Sequence, residues 1–263
     1  MDAAGQITGS ALVTGAARGI GAAVAEAFAT AGTPVALLDR DELVVETAEK
    51  LRASSGAATV ALLADVAHPD AVEKAVEQAE RALGPISALA NVAGILRTGA
   101  ILDLSDVDWA DCLAVNATGV WNAGRAVGRR MHARRSGSIV TVASNAASIP
   151  RAGMAAYAAS KAAAVAFTRC LGLELAPYVR CNVVCPGSTD TAMQRSLWPN
   201  PDDDSNVEQV ITGDLARYRL GIPLRRIADP RDIADAVLFL AGPASRHITM
   251  QSLTVDGGAT LGA

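Results

Sequence analysis

The chain has 263 residues, 51% of them hydrophobic but only 3% aromatic, so a core must be built from Ala, Val, Leu and Ile. That length suits one large α/β domain, and a net charge of −4 argues against a nucleic-acid surface. No run of about 18 uncharged apolar residues offers a membrane span, and the amino terminus lacks a basic stretch leading into an apolar one. The expectation is a cytoplasmic protein with no nucleic-acid and no membrane partner.

The first strand is predicted at Ala11–Thr14 and runs into TGAARGIG, which opens a helix over Ile20–Ala31. Gly15, Gly19 and Gly21 let the backbone approach a pyrophosphate, while the helix amino terminus, with Arg18 and Ile20, supplies N–H groups and a favourable dipole. A second strand, Val35–Asp39, ends on a carboxylate eighteen positions after Gly21. Such a carboxylate accepts hydrogen bonds from ribose hydroxyls and repels a 2′-phosphate, which favours NAD over NADP. Arg18 and Arg40 are the neighbours that could instead greet a phosphate.

A helix over Glu42–Ser54 precedes a strand over Thr59–Ala64, closed by Asp65-Val66. Pro69 sits at the first turn of the next helix, Asp70–Leu83. The fourth strand, Ala88–Asn91, leads into Val92-Ala93-Gly94 and then Arg97. One long helix is expected over Asp108–Arg135, capped by Ser105 and carrying Asn116 within an apolar run. The basic cluster Arg129, Arg130, Arg134 and Arg135 reads as a helix end, where cations suit the macrodipole.

The fifth strand, Ser138–Ala143, delivers Ser144 thirteen positions before Tyr157, and Lys161 follows on the same helix, Ala155–Ala176. Residues at i and i+4 share a helix face. An ammonium beside a phenol favours the phenolate, so a lowered tyrosine pKa and acid–base work near neutral pH are expected. Ser144 is placed to hold the same substrate oxygen. The sixth strand, Arg180–Cys185, ends in Pro186-Gly187-Ser188-Thr189-Asp190-Thr191, a rigid turn with hydroxyls for a nicotinamide. Residues 197–222 then break the rhythm, as lids at the carboxyl edge of a sheet do. A helix over Arg231–Ala241 and a strand over Leu253–Val255 complete the chain.

Strands of continuous apolar character alternating with helices imply a parallel sheet covered on both faces. The fold class is therefore α/β: a single doubly wound Rossmann domain with seven parallel strands. Cys112, Cys170, Cys181 and Cys185 read as reduced, mostly buried thiols, and with His68, His132 and His247 they form no metal-ligand spacing.

In order, TGAARGIG, Asp39, Asp65-Val66, Asn91-Val92-Ala93-Gly94, Asn116, Ser144, Tyr157-x-x-x-Lys161 and Pro186-Gly187 resemble the short-chain dehydrogenase/reductase family over nearly the whole chain. Val92, where the family usually has Asn or Ala, is a mild departure. The resemblance implies a catalytic tetrad of Asn116, Ser144, Tyr157 and Lys161. It also implies an NAD site formed by Gly15, Arg18, Gly19, Ile20, Gly21, Asp39, Asp65, Val66, Asn91, Gly94, Tyr157, Lys161, Pro186, Gly187, Thr189 and Thr191. Assembly as a homotetramer through the helices after strands four and five is the family's habit.

The segments IVTVASNAASIPRAGMAAYAASKAA, PGSTDTAMQRSLW and VDGGATLGA are similar to the 2,3-dihydro-2,3-dihydroxybenzoate dehydrogenases of catechol siderophore biosynthesis. That likeness implies a small anionic dihydrodiol substrate. Its carboxylate would need cations or donors, for which Arg97, Arg151, Gln194 and Arg195 are candidates beside Ser144 and Tyr157. Three alternatives stay open: a dehydrogenase of trans-2,3-dihydro-3-hydroxyanthranilate, an NADPH-dependent 3-oxoacyl thioester reductase, and a catalytically silent NAD-binding sensor.

Overall fold

The computed structural model describes residues 7–262. Seven parallel strands lie in the order β3-β2-β1-β4-β5-β6-β7: β1 (Ser10–Thr14), β2 (Val35–Asp39), β3 (Thr59–Leu63), β4 (Ile86–Asn91), β5 (Gly137–Val142), β6 (Val179–Pro186) and β7 (Ser252–Val255). The chain leaves β1 toward β2 on one side and returns to β4 on the other. The carboxyl ends of β1 and β4 therefore flank a crevice, the usual ligand position in an open α/β sheet.

Strand alternation divides the core between two faces. Ala11, Val13, Val35, Leu37 and Val140 pack against α1 (Gly19–Thr30), α2 (Leu43–Ser55) and α9 (Pro230–Ala241) through Val24, Phe28, Val44 and Ile233. Leu12, Ala36, Leu38, Leu89 and Ile139 pack on the other face against α3 (Pro69–Leu83), α5 (Gly119–Arg134) and α6 (Ala155–Glu174). Burial of each large side chain here contributes about 1.5–3 kcal/mol. The doubly wound sheet with helices on both faces thus follows the apolar strand runs.

Two features depart from the sequence reading. The long middle helix is not continuous: α4 (Asp106–Leu113) passes through a π turn at Ala114–Thr118 before α5 begins. Ser105 does cap α4, its Oγ accepting from Asp108 N at 3.0 Å. The basic cluster, read as a helix end, also braces a neighbour: Arg130 bridges Glu73 at 2.7 Å and Arg134 bridges Glu80 at 2.8 Å, both on α3.

The small residues of α5 are used within the chain. A Cβ on Gly124 would lie 2.9 Å from Phe167, and one on Gly128 would lie 3.0 Å from Leu175. They bring α5 onto α6 and are not a free face for a second copy. Cys112, Cys181 and Cys185 are buried, whereas Cys170 is exposed. Residues 197–222 contain α8 (Ser205–Thr212) and a short 3-10 turn, following the one-turn helix α7 (Ala192–Arg195). No described helix is long and apolar enough to cross a membrane.

Candidate active site

A cleft of about 690 Å³ opens at the carboxyl ends of the strands. Its first wall is the turn after β1, where Gly15 and Gly19 adopt φ of +69° and +57°. Gly21 is required for a different reason: a Cβ there would stand 1.9 Å from Gly15 O. The turn is held to the next strand by Thr14, whose Oγ1 accepts from Val92 N at 3.0 Å and Ala93 N at 3.2 Å. α1 has no acidic residue in its first turn, so nothing opposes an anion at its positive end. The cradle fits a dinucleotide pyrophosphate.

Asp39 lines the cleft at the end of β2. Its Oδ2 accepts from Ala17 N and its Oδ1 from Asp41 N, both at 3.0 Å, so the carboxylate is fixed with lone pairs to spare. The two arginines that could have served a 2′-phosphate are paired: Arg18 with Asp41, and Arg40 with Asp65 at 3.6 Å. Ile20, Asp65, Val66, Gly94, Pro186, Gly187, Thr189 and Thr191 line the same cleft. Asn91 does not. It is 2% exposed at the end of the central strand β4, and its side-chain amide finds no hydrogen-bond partner among the described residues.

At the other end, β5 delivers Ser144, whose Oγ accepts from Ala146 N at 3.1 Å and whose side chain acts on the Tyr157 hydroxyl to favour its ionised form. Lys161, one turn along α6, places Nζ 5.8 Å from the Tyr157 ring centroid and donates to Val142 O at 3.0 Å. Asn116 lies on the π turn, fully buried. Its Oδ1 accepts from Ile95 N at 2.8 Å, while Nδ2 donates to Ile95 O and Ser160 Oγ, both at 2.9 Å. The amide clamps the loop after β4 onto α6. A Cβ on Gly94 would lie 3.1 Å from Lys161 Nζ and 3.2 Å from Asn116 Oδ1, so a side chain there would crowd both groups.

The expected lowering of the tyrosine pKa is not what the site produces. Burial raises the Tyr157 phenol above its usual range, and the Ser144 hydrogen bond only partly offsets this. Burial also pulls Lys161 down from 10.5 to about 8. Both groups lose hydration, and Lys161 Nζ points at Val142 O instead of the phenol oxygen. Lys161 remains mostly protonated at neutral pH, but its charge does not overcome the desolvation of the phenol.

Of the residues expected near a substrate carboxylate, Arg151 and Gln194 line the cleft, whereas Arg97 and Arg195 do not. Arg97 bridges Asp108 at 3.1 Å and Asp111 at 3.5 Å, fastening the loop after β4 to α4. Arg195 forks onto Asp190 at 2.6 and 2.9 Å and reaches Asp204 at 3.0 Å, tying the excursion to the loop after β6. The structure adds Met154, Leu197 and Arg219 to the cleft wall. Arg219 carried no motif in the sequence. Its one signal was its position in an excursion already placed beside the site.

The short chain dehydrogenase family model matches residues 10–202. The 2,3-dihydro-2,3-dihydroxybenzoate dehydrogenase of Bacillus subtilis (strain 168) is 53% identical over 253 residues, covering 96% of each chain. The Escherichia coli (strain K12) protein of that name is 46% identical over 252 residues, 95% of this chain and 96% of its own. A gluconate 5-dehydrogenase from Burkholderia cenocepacia J2315, solved in complex with NADP and tartrate, superposes with a TM-score of 0.88 at 32% identity, covering 97% of both chains. The protein is an oxidoreductase, and its chain belongs to the short-chain dehydrogenase family.

Proposed function

We propose that this enzyme oxidises 2,3-dihydro-2,3-dihydroxybenzoate to 2,3-dihydroxybenzoate with NAD, a step of catechol siderophore biosynthesis. The observation that carries the reading is the placement of Arg151, a cation without an ion-pair partner among the described residues, in the same cleft as Ser144 and Tyr157. The identity to two relatives of that name supports it. NAD is favoured over NADP because Asp39 faces the nucleotide end while Arg18 and Arg40 are held by carboxylates.

The turn through Gly15, Gly19 and Gly21, together with Asp39 and Lys161, would hold the cofactor, which when bound supplies a hydride acceptor. Ser144 holds the reacting ring hydroxyl, and Tyr157 acts as the phenolate, formed by loss of its proton to solvent before the step, so that its Oη takes the hydroxyl proton as hydride leaves the same carbon. The resulting ring carbonyl tautomerises to a phenol, and aromatisation draws the reaction forward. Lys161 supplies positive charge beside the phenol once the site is filled. Asn116 keeps the loop after β4 in register with α6 and supports proton exchange with solvent. A homotetramer and a cytoplasmic location belong to the same reading, as does a lid role for residues 197–222.

The test offers purified protein NAD with the dihydrodiol, with its amino-alcohol counterpart and, with NADPH, a 3-oxoacyl thioester, and identifies any product. 2,3-Dihydroxybenzoate is expected as the preferred product. Tyr157→Phe should lower kcat by about 10²–10⁴-fold while leaving NAD affinity unchanged. Preferential formation of 3-hydroxyanthranilate, or thioester reduction alone, would overturn the substrate assignment. Failure of every substrate would leave an NAD-binding protein without this chemistry.

A further inference from the structure

Two arginines of the cleft have no ion-pair partner among the described residues. Arg151 lies in the loop between β5 and α6, and Arg219 lies on the excursion between α8 and α9. They are close enough for the charge of Arg219 to act unfavourably on Arg151. The carboxylate that also acts on Arg151 is Asp256, but its oxygens already accept from Asn145, Gly258 and Thr260. The other cleft arginines described above, Arg18 and Arg40, are paired with Asp41 and Asp65.

Arg219 is presented by a loop with little freedom. Asp214 and Arg219 exchange backbone hydrogen bonds of 2.8 and 2.9 Å, and Ile222 N donates to Ile211 O at 2.8 Å. Gly213 and Gly221 sit at φ of +83° and +87°; a Cβ on Gly213 would lie 2.4 Å from Arg219 O, and one on Gly221 2.5 Å from Ile211 O. Leu224 N donates to Gly257 O at 3.1 Å, fastening the foot of the loop to the turn after β7. These bonds fix the backbone that carries Arg219 at the wall of the cleft that Arg151 also lines, and the like-charge repulsion between the two is one that an anion between them would convert into attraction.

We propose that Arg151 and Arg219 are the two jaws of a carboxylate clamp that seats the acid group of the ring substrate and, through Arg219, fastens residues 197–222 over the reacting ring. The proposal deepens the substrate reading above and rests on it. The ligand class is a six-membered-ring carboxylate, with two guanidinium forks available to its oxygens. The pyrophosphate of a nucleotide is served separately, at the amino terminus of α1.

The experiment measures binding of 2,3-dihydroxybenzoate and of catechol, the same ring without the carboxylate, to the NADH-loaded protein by calorimetry. It compares the wild type with Arg151→Gln, Arg219→Gln and Arg219→Lys. Each Gln variant should weaken 2,3-dihydroxybenzoate about 10- to 100-fold and leave catechol unchanged, and Arg219→Lys should recover part of the loss. Because the free arginines repel each other, neither Gln variant should lower the melting temperature of the ligand-free protein. Equal loss of both ligands, a wild type with no preference for the carboxylate, or an Arg219→Gln variant that binds like wild type would overturn the clamp. If the expected binding pattern appears but the dihydrodiol is not oxidised, the clamp stands and the substrate assignment falls. Oxidation without that pattern gives the reverse.

Discussion

Replacing Lys161 by Met should make the cofactor-free protein more stable at neutral pH while removing its activity. Lys161 is 4% exposed, and burial holds its pKa near 8 instead of 10.5. A shift of that size means that folding at pH 7 works against about 3 kcal/mol of ammonium desolvation. Met keeps most of the length of the side chain without the charge, but it leaves Val142 O without its 3.0 Å donor, a loss of roughly 1–2 kcal/mol. The net expectation is a gain of roughly 1–2 kcal/mol at pH 7. Between about pH 8 and 10.5 the unfolded lysine still holds a proton that the folded one has released, so the wild type gains stability relative to the variant as pH rises. Above that window the amine donates to Val142 O without a charge to desolvate, and the order of stabilities should reverse. Urea unfolding of both proteins at fixed concentration across this range measures the difference directly. A variant less stable than wild type at pH 7, with a gap independent of pH, would refute the desolvation argument.

The remaining predictions concern the nucleotide end. Asp39→Ala should raise kcat/KM for NADP relative to NAD by about 10²–10³-fold, since unit charges about 4 Å apart near a surface repel by roughly 4 kcal/mol. An unchanged ratio would place cofactor selectivity elsewhere. Gly21→Ala should weaken NAD binding by more than about 10-fold in calorimetry, because a methyl 1.9 Å from Gly15 O must push the turn open. Unchanged affinity would mean that this turn does not carry the pyrophosphate.

Much of the scaffold was legible because parallel strands advertise themselves. The first four residues of β2 are buried whichever face of the sheet they point to and must all be apolar, and only the last, Asp39, reaches the cleft. The glycines of TGAARGIG are equally readable, since close backbone approach leaves no alternative to a hydrogen side chain. The break in the middle helix was not readable. The residues Ala114–Thr118 look helical, and the π turn stands where the Asn116 amide meets Ile95 and Ser160, distant in sequence.

The parallel sheet, the glycine turn after β1, Asp39 at the end of β2 and the one-turn spacing of Tyr157 and Lys161 follow from local pattern along the chain. The electrostatics of those groups and the fate of the arginines come from long-range packing. Arg18, Arg40, Arg97 and Arg195 are alike in sequence, yet each is drawn off by a carboxylate that folding brings near. Arg151 and Arg219 are left facing the cleft. Charge pairing depends on distances between segments remote along the chain, and desolvation on the packing around them. Neither is a property of local spacing.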